Sequence, residues 1–148
     1  MLGTSAHIDT FARDNLPPVD LLPDFKLDSF RYPEILNAGY ELTDAMVEKG
    51  FGNHTALIGN GRQRTYKELA DWTNRLANVL KDDLGIVPGN RVLIRSANNP
   101  AMVACWLAAT KVGAVVVNTM PMLRAHELQK YVEKAEISHA LSDKRLID

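Results

Sequence analysis

The stretch KVGAVVVNTMPMLRAHEL, Lys111 to Leu128, passes from the end of one helix through a strand to the start of another helix. Gly113 stands where a helix C-cap glycine belongs, and Ala114 to Val117 form a short apolar run. The residues Asn118-Thr119 then predict a polar turn ahead of Pro121. In open α/β sheets, ligands bind beyond the carboxyl ends of the strands, so this turn is the first place to seek a binding site.

A strand and a helix precede this stretch. Arg91 to Ser96 form a run whose centre is apolar on both faces, which is typical of a parallel strand covered by helices. Asn99-Pro100 then places an N-cap residue before a proline at the first helical position. Residues 101–112 are apolar almost all round, Trp106 included, and this pattern predicts a helix that is buried on more than one side.

The clearest helix of the chain begins at Thr65. Thr65 and Glu68 form the T-x-x-E pattern of a capping box, and Gly85 is placed to end the helix. Upstream, Asn60-Gly61 lies between two short β-prone segments and predicts a hairpin, because both turn residues tolerate positive φ. The positions that repeat every three or four residues along the helix are Leu69, Trp72, Thr73, Leu76, Val79, Leu80 and Leu84.

A further helix and strand follow the opening stretch. The residues ISHALSD, 137–143, predict a third strand after this helix. The order β-α-β-α-β with right-handed crossovers predicts an α/β fold: a three-layer-type parallel sheet with flanking helices, plus the β-hairpin. The apolar positions that predict the helix are Leu128, Tyr131, Val132 and Ala135.

The composition changes once along the chain. Residues 1–33 carry four of the prolines without sustained periodicity, which predicts an extended amino-terminal arm. Residues 34–148 are predicted to form a partial α/β subdomain, whose first helical pattern runs from Leu36 to a C-cap glycine at Gly50. Because no helix follows to cover the last strand, we expect the chain to be truncated. The residues that line one face of the first helical pattern are Gly39, Leu42, Thr43 and Met46.

Composition and charge exclude several classes of function. The chain has 148 residues, 46% hydrophobic and 24% charged, as expected of a globular domain. A net charge of -1 provides no basic field for nucleic acid. No run approaches the roughly 20 apolar residues of a membrane span, and no signal peptide is recognisable. The single cysteine, Cys105, has apolar neighbours and is expected to be a packed thiol in a reducing cytoplasm.

Residues that could carry chemistry are few. The glycine pairs lack the spacing of a phosphate-binding loop, and the four histidines lack the short spacings of a metal site. We therefore assign no catalytic and no metal-binding residue. Two segments after predicted strands keep functional interest, Ser96 to Asn99 and Asn118 to Met120. The alternative for both is that the asparagines only cap a helix and form a turn.

A long segment resembles a known family. The residues TYKELADWTNRLANVLKDDLGIVPGNRVLIRSANNPAMVACWLAATKVGAVVVNTMP, followed by ELQKYVEKAEISHALSD, are similar in order to the amino-terminal subdomain of the adenylate-forming (AMP-binding) acyl- and aryl-CoA synthetases. The resemblance covers about residues 37–148. Two further segments are similar to the start of the benzoate- and 2-aminobenzoate-CoA ligase group. They are SAHIDTFARDNLPP in the arm and YPEILNAGYEL around the start of the first helical pattern.

The resemblance implies an ATP-dependent carboxylic acid–CoA ligase. Its parent enzymes activate a carboxylate as an acyl-adenylate and then form a thioester with CoA, assisted by Mg²⁺. The family's phosphate loop, Mg²⁺-binding glutamate and late catalytic lysine have no counterpart in these 148 residues. The chain alone is therefore expected to be inactive and to bind none of ATP, CoA or Mg²⁺ tightly.

Two further expectations come from the resemblance. In related acetyl-CoA synthetases the loop aligned with Asn118 and Thr119 lies near CoA, which makes these two residues the only cofactor-binding candidates. Arg124 stands where the family often has the Ser or Thr of a capping box with Glu127, so the last helix is expected to begin with a weaker cap.

Two alternatives to a ligase fragment stay open: a non-catalytic domain that binds CoA or a nucleotide, and an interaction domain. For the fragment, we expect a homo-oligomer that forms through the surface exposed by truncation. The expected contact residues are Ile137, Leu141, Leu146 and Ile147.

Overall fold

A computed structural model of the protein describes residues 5–24 and 29–147. Two short elements lie in the amino-terminal region, and the remaining elements follow from residue 38. The helices are α1 (Phe11–Asp14), α2 (Ala38–Glu41), α3 (Asp44–Met46), α4 (Tyr66–Asn78), α5 (Pro100–Lys111) and α6 (Ala125–Lys134). The strands are β1 (Thr55–Gly59), β2 (Arg62–Thr65), β3 (Arg91–Arg95), β4 (Val115–Thr119) and β5 (His139–Ser142). Short 3-10 turns form at Val19–Leu21 and Lys144–Leu146, and π-helical turns at Val47–Phe51 and Val79–Asp83.

The carboxyl-terminal half confirms the predicted α/β fold. Strands β4, β3 and β5 form a parallel sheet in that order, so β3 is paired on both sides. Leu93 of β3 lies opposite Val117 of β4 and Ala140 of β5. All five residues of β3 are buried, which explains why its centre, Val92 to Ile94, is apolar on both faces.

Helix α5 lies between the sheet and helix α4, as its composition predicted. On one side, Ala108 and Ala109 pack in a cluster with Val92 of β3. On another, Ala104 and Leu107 pack with Leu69 of α4. Trp106 differs from the prediction, because it is only partly buried at the margin of this second cluster. Small residues, not the tryptophan, fill the space between α5 and the sheet.

The hairpin and the start of α4 form as the sequence predicted. Strands β1 and β2 pair antiparallel around Asn60 and Gly61, which have φ values of 53° and 70°. At the start of α4, Glu68 N–H donates to Thr65 Oγ1 at 3.2 Å, and Thr65 N–H donates to Glu68 Oε2 at 2.9 Å. Both halves of the capping box are therefore present.

The single helix predicted from Leu36 to Gly50 is wrong. The structure has two short helices, α2 and α3, followed by the π-helical turn, in which Gly50 has a φ of 88°. The break is located at Thr43, which has the non-helical backbone angles φ -129° and ψ -84°. Leu42, expected on the buried face, is 52% exposed. Gly39 is buried where a Cβ atom would lie 2.7 Å from Leu107 O, so close packing of α2 on α5 requires glycine there.

Two parts of the predicted arm lie outside the described residues, 1–4 and 25–28. Residue 148, at the carboxyl terminus, also lies outside them. The boundary between arm and subdomain at residue 34 stays a prediction. Self-association also stays a prediction: among its expected contact residues, Ile147 is 74% exposed and the other three are partly buried.

A polar cluster joins α3, α4 and α5. The Lys111 ammonium pairs with the Asp44 carboxylate and donates to Asn74 Oδ1 at 2.7 Å. Asn74 Nδ2 in turn donates to Asp44 Oδ1 at 2.9 Å. Burial opposes ionisation of Asp44, but hydrogen bonds from Asn74, Lys111 and Thr43 outweigh it and lower the pKa of Asp44 to about 2.

We expect this cluster to make stability depend on acid pH. Because the folded pKa of Asp44 lies below its ordinary value of 3.8, its ionised form contributes stability above about pH 4 that is lost as the pH falls towards 2. Urea unfolding of the protein and of Asp44→Asn at pH 7, 4 and 2 measures this. The stability difference between the two proteins should shrink from pH 4 to pH 2. A constant difference would show that the Asp44 charge contributes nothing.

The start of α6 has half of a capping box. Arg124 N–H donates to Glu127 Oε2 at 2.8 Å, but the Arg124 side chain makes no capping hydrogen bond. An arginine side chain has only donors, so it offers no acceptor to the free N–H groups of the first helical turn. The weaker cap expected from the sequence is therefore what the structure shows.

Replacement of Arg124 by threonine is expected to complete this cap. Arg124→Thr should leave stability unchanged or raise it by up to about 1 kcal/mol, measured by urea unfolding. The matched control is Thr65→Ala, which removes the side-chain half of the α4 cap and should destabilise by about 0.5–2 kcal/mol. A loss of stability in Arg124→Thr would contradict the assignment.

Candidate functional site

The carboxyl ends of β3, β4 and β5 meet at one edge of the sheet. A cleft of about 610 Å³ opens there, between the ends of β3 and β5 and the first turns of α5. Its polar lining comes from the residues that follow β3 and from the end of β5. The cleft is lined by Ile94, Ser96, Asn99, Ala101, Met102, Cys105, Ala140, Leu141, Ser142, Asp143 and Ile147.

The polar groups after β3 bond mainly to one another. Asn99 Oδ1 accepts from Met102 N–H at 3.0 Å and so caps α5. Asn99 Nδ2 donates to Ser96 Oγ at 3.1 Å and to Ala97 O at 3.0 Å. This arrangement favours the capping role for Asn99, which the sequence analysis left open against a binding role.

Asn118 and Thr119 do not form the predicted turn. Strand β4 extends to Thr119, so Asn118 lies opposite Ile94 and Thr119 opposite Arg95. The strand is longer than its apolar run because backbone pairing with β3, not side-chain hydrophobicity, sets its length. Asn118 is exposed, Thr119 is partly buried, and neither belongs to the lining of the cleft. The two predicted segments thus end at the same sheet edge, but only the first lines this cleft.

Arg95 is a residue of this edge that the sequence analysis did not single out. Its side chain is buried, and its guanidinium donates to Pro121 O at 3.1 Å and to Leu146 O. The central strand is thereby tied to the connection after β4 and to the segment after β5. The sequence does contain a signal for this role: Arg95 ends a strand whose centre is apolar on both faces. A cation that is buried there needs hydrogen-bond acceptors.

Asp143, after β5, is held as a carboxylate. A side-chain hydrogen bond from Arg145, at 2.5 Å from Nη2 to Oδ2, and a backbone hydrogen bond from the same residue lower the pKa of Asp143 to about 2. Asp143 N–H donates to Arg95 O at 2.9 Å and continues the pairing of β5 with β3. A carboxylate with so low a pKa is a poor general base and carries no proton to donate at neutral pH.

The Cys105 thiol is also unsuited to nucleophilic chemistry. Burial raises the pKa of Cys105, so the unreactive protonated form predominates at neutral pH.

Across residues 5–24 and 29–147, no group of three or more His, Cys, Asp or Glu side chains is placed to hold a metal ion. Within the same residues, no helix is long and apolar enough to cross a membrane. The polar groups that line the cleft are the side chains of Ser96, Asn99, Ser142 and Asp143, which can form hydrogen bonds.

The Arg95 contacts can be tested by limited trypsin digestion. Arg95→Met keeps much of the side-chain volume but removes the donors to Pro121 O and Leu146 O. Both connections should loosen, and cleavage after Arg124, Lys144 and Arg145 should become several-fold faster. In the control Arg75→Met, an exposed position of α4, these rates should stay unchanged. Equal rates in both variants would show that Arg95 does not restrain the connections.

A parallel sheet with a polar cleft beyond its carboxyl edge is a class of α/β structure in which ligands bind outside the strand ends. The family to which this sheet belongs is identified by comparison: the profile of the AMP-binding enzyme family matches residues 45–148. The chain belongs to this family, as the sequence analysis inferred from the order of its motifs.

Two of the relatives are named as hydroxybenzoate–CoA ligases. The chain is 33% identical over 98 residues to 3-hydroxybenzoate–CoA ligase of Aromatoleum sp. (strain CIB), an alignment that covers 66% of this chain and 18% of that protein. It is 37% identical over 82 residues to 3-hydroxybenzoate–CoA/4-hydroxybenzoate–CoA ligase of Thauera aromatica, covering 55% of this chain and 16% of that protein. The chain thus spans less than a fifth of either relative.

Solved structures share the fold. The N-terminal subdomain of Klebsiella oxytoca NpsA in complex with anthranilyl-AMSN superposes with a TM-score of 0.67 at 28% identity, covering 74% of this chain and 28% of that one. The anthranilate CoA ligase AuaEII in complex with anthranoyl-AMP superposes with a TM-score of 0.72 at 21% identity, covering 83% of this chain and 23% of that one. At this identity the second likeness shows the fold alone.

Proposed function

We propose that this chain is the amino-terminal part of an ATP-dependent carboxylic acid–CoA ligase. The observation that carries the proposal is the family match over residues 45–148, together with relatives that are 3-hydroxybenzoate–CoA ligases. The complete enzyme would use ATP, CoA and Mg²⁺ to convert an acid first into an acyl-adenylate and then into a thioester. Its proposed location is the cytoplasm, in line with the single cysteine.

The proposed substrate is an aromatic acid such as benzoate or 2-aminobenzoate. The two curated relatives described above are named for hydroxybenzoates, and the NpsA subdomain is in complex with an anthranilyl compound. All three names concern a single aromatic ring that carries a carboxyl or an acyl group. The similarity of the arm to the benzoate- and 2-aminobenzoate-CoA ligase group points to the same class.

Within such an enzyme, the described residues would form part of the wall of a binding cleft. Asn118 and Thr119 are proposed to lie on the CoA side, at the carboxyl end of β4. The family's phosphate loop, Mg²⁺-binding glutamate and late catalytic lysine have no counterpart in these residues, so we assign them no step of adenylate formation. Adenylyl transfer requires positioned donors and cations around the phosphates, and these would come from elsewhere in the complete polypeptide.

The test compares residues 1–148 with the complete polypeptide translated from the gene. For residues 1–148 we expect acid-dependent ATP–pyrophosphate exchange at background, because the phosphate-positioning groups are missing. The complete polypeptide should catalyse exchange and CoA thioester formation with benzoate or 2-aminobenzoate, and less with acetate as the non-aromatic control.

Two results would contradict the proposal. Exchange by residues 1–148 that a substitution in this chain abolishes would place catalysis in the fragment itself. A complete polypeptide that binds CoA or ATP in calorimetry but forms no adenylate with any of these acids would instead support a non-catalytic binding domain.

A further inference from the structure

The amino-terminal arm lies against the amino-terminal edge of the sheet, opposite the candidate site. Ile8 N–H and Asp9 N–H both donate to Pro88 O, at 2.9 and 3.0 Å. Asn90 Nδ2 donates to Asp9 Oδ2 at 2.9 Å. Gly89 has a φ of 95°, and a Cβ atom there would lie 2.9 Å from the backbone carbon of Asp9, so this approach requires glycine. The arm is thus held on the turn that leads into β3.

Arg91, the first residue of β3, joins the arm to the end of α6. On the arm side, its guanidinium pairs with the Asp9 carboxylate, and its Cζ lies 4.5 Å from the centre of the Phe11 ring. On the α6 side, Nε donates to Ala135 O at 2.8 Å and Nη2 donates to Glu136 O at 3.0 Å. The Arg91 side chain is only 7% exposed.

The turn after α6 needs such support. Glu136 has a φ of 46°, a conformation that residues other than glycine rarely adopt. Ile137 N–H closes the turn by donating to Val132 O at 3.0 Å. Strand β5 begins two residues later, at His139. The conformation of this turn therefore determines how the chain enters β5.

We infer that residues 7–11 act as a strap that stabilises the turn between α6 and β5 through Arg91. Removing one partner of a buried ion pair leaves an uncompensated charge, which is strongly destabilising. Without Asp9, we expect the Arg91 guanidinium, which also donates to Gly89 O, to turn towards water and to weaken its hydrogen bonds to the carbonyl groups of Ala135 and Glu136. The strap lies outside residues 45–148, which match the family, and it acts on a turn inside that region. The coupling does not depend on the proposed ligase activity.

Hydrogen–deuterium exchange of residues 1–148 tests the coupling. In Asp9→Ala/Phe11→Ala, amides 8–12 should lose protection, and amides 133–139 should exchange at least tenfold faster. Amides of α4, residues 66–78, should change little. The control is Asp14→Ala, an arm carboxylate that bonds locally to Thr10, and it should leave amides 133–139 unchanged.

A second variant separates the contribution of Arg91 from that of the strap. Arg91→Lys keeps the charge but loses the guanidinium geometry, so it should speed exchange at 133–139 by itself. Adding Asp9→Ala to Arg91→Lys should then have little further effect there.

Three outcomes would overturn the inference. Amides 133–139 could stay protected although the arm is released. The arm could stay protected in Asp9→Ala/Phe11→Ala. Amides of α4 could accelerate as much as 133–139, which would show a general loss of stability and no selective coupling.

Discussion

Burial of the central strand β3 is the constraint on which the rest of the structure depends. Strand β3 is paired on both sides and covered, yet it begins with Arg91 and ends with Arg95. Two guanidinium groups next to an apolar core have to be hydrogen-bonded, since an unpaired buried charge is strongly destabilising. Each arginine donates to backbone carbonyls of neighbouring connections, and Arg91 also pairs with the Asp9 carboxylate. The strand therefore determines where those connections lie.

The two ends of β3 differ in what surrounds them. At the amino-terminal end, Arg91 binds the arm and the turn after α6, so its contacts hold one part of the chain to another. At the carboxyl end, Arg95 holds the connection after β4 and the segment after β5 beside an open cleft. Of the titratable groups that line the cleft, burial raises the pKa of Cys105, and hydrogen bonds from Arg145 lower the pKa of Asp143 to about 2. One end of β3 is thus closed by contacts within the chain, and the other end borders an open cleft. An open cleft is compatible with a chain that spans less than a fifth of the curated ligases it resembles.

The candidate site was only partly predictable from the sequence. The sequence did predict that both candidate segments end at the same edge of the sheet, because a polar residue after an apolar parallel strand marks the carboxyl end of that strand. From the sequence, Asn99 could serve either as a helix cap or as a binding residue. Its hydrogen bonds with Met102 and Ser96, which only the structure shows, favour capping. Arg95 was missed because its partners, Pro121 and Leu146, are 26 and 51 residues away along the chain. Local patterns carry no information about acceptors at that separation.

The sequence by itself determined the elements whose signals are local. The capping box at Thr65 and the Asn60-Gly61 hairpin follow from neighbours within a few residues, where backbone preference and apolar periodicity act. The parallel sheet follows from the order of its strands and helices along the chain. Only the tertiary structure decided the break at Thr43, the partial exposure of Trp106 and the extension of β4 to Thr119. The exposure of Trp106 and the length of β4 depend on what packs or pairs against these residues from a distant part of the chain. The same is true of Arg91, whose charge was visible in the sequence but whose contacts with Asp9 and the end of α6 exist only once the sheet has formed.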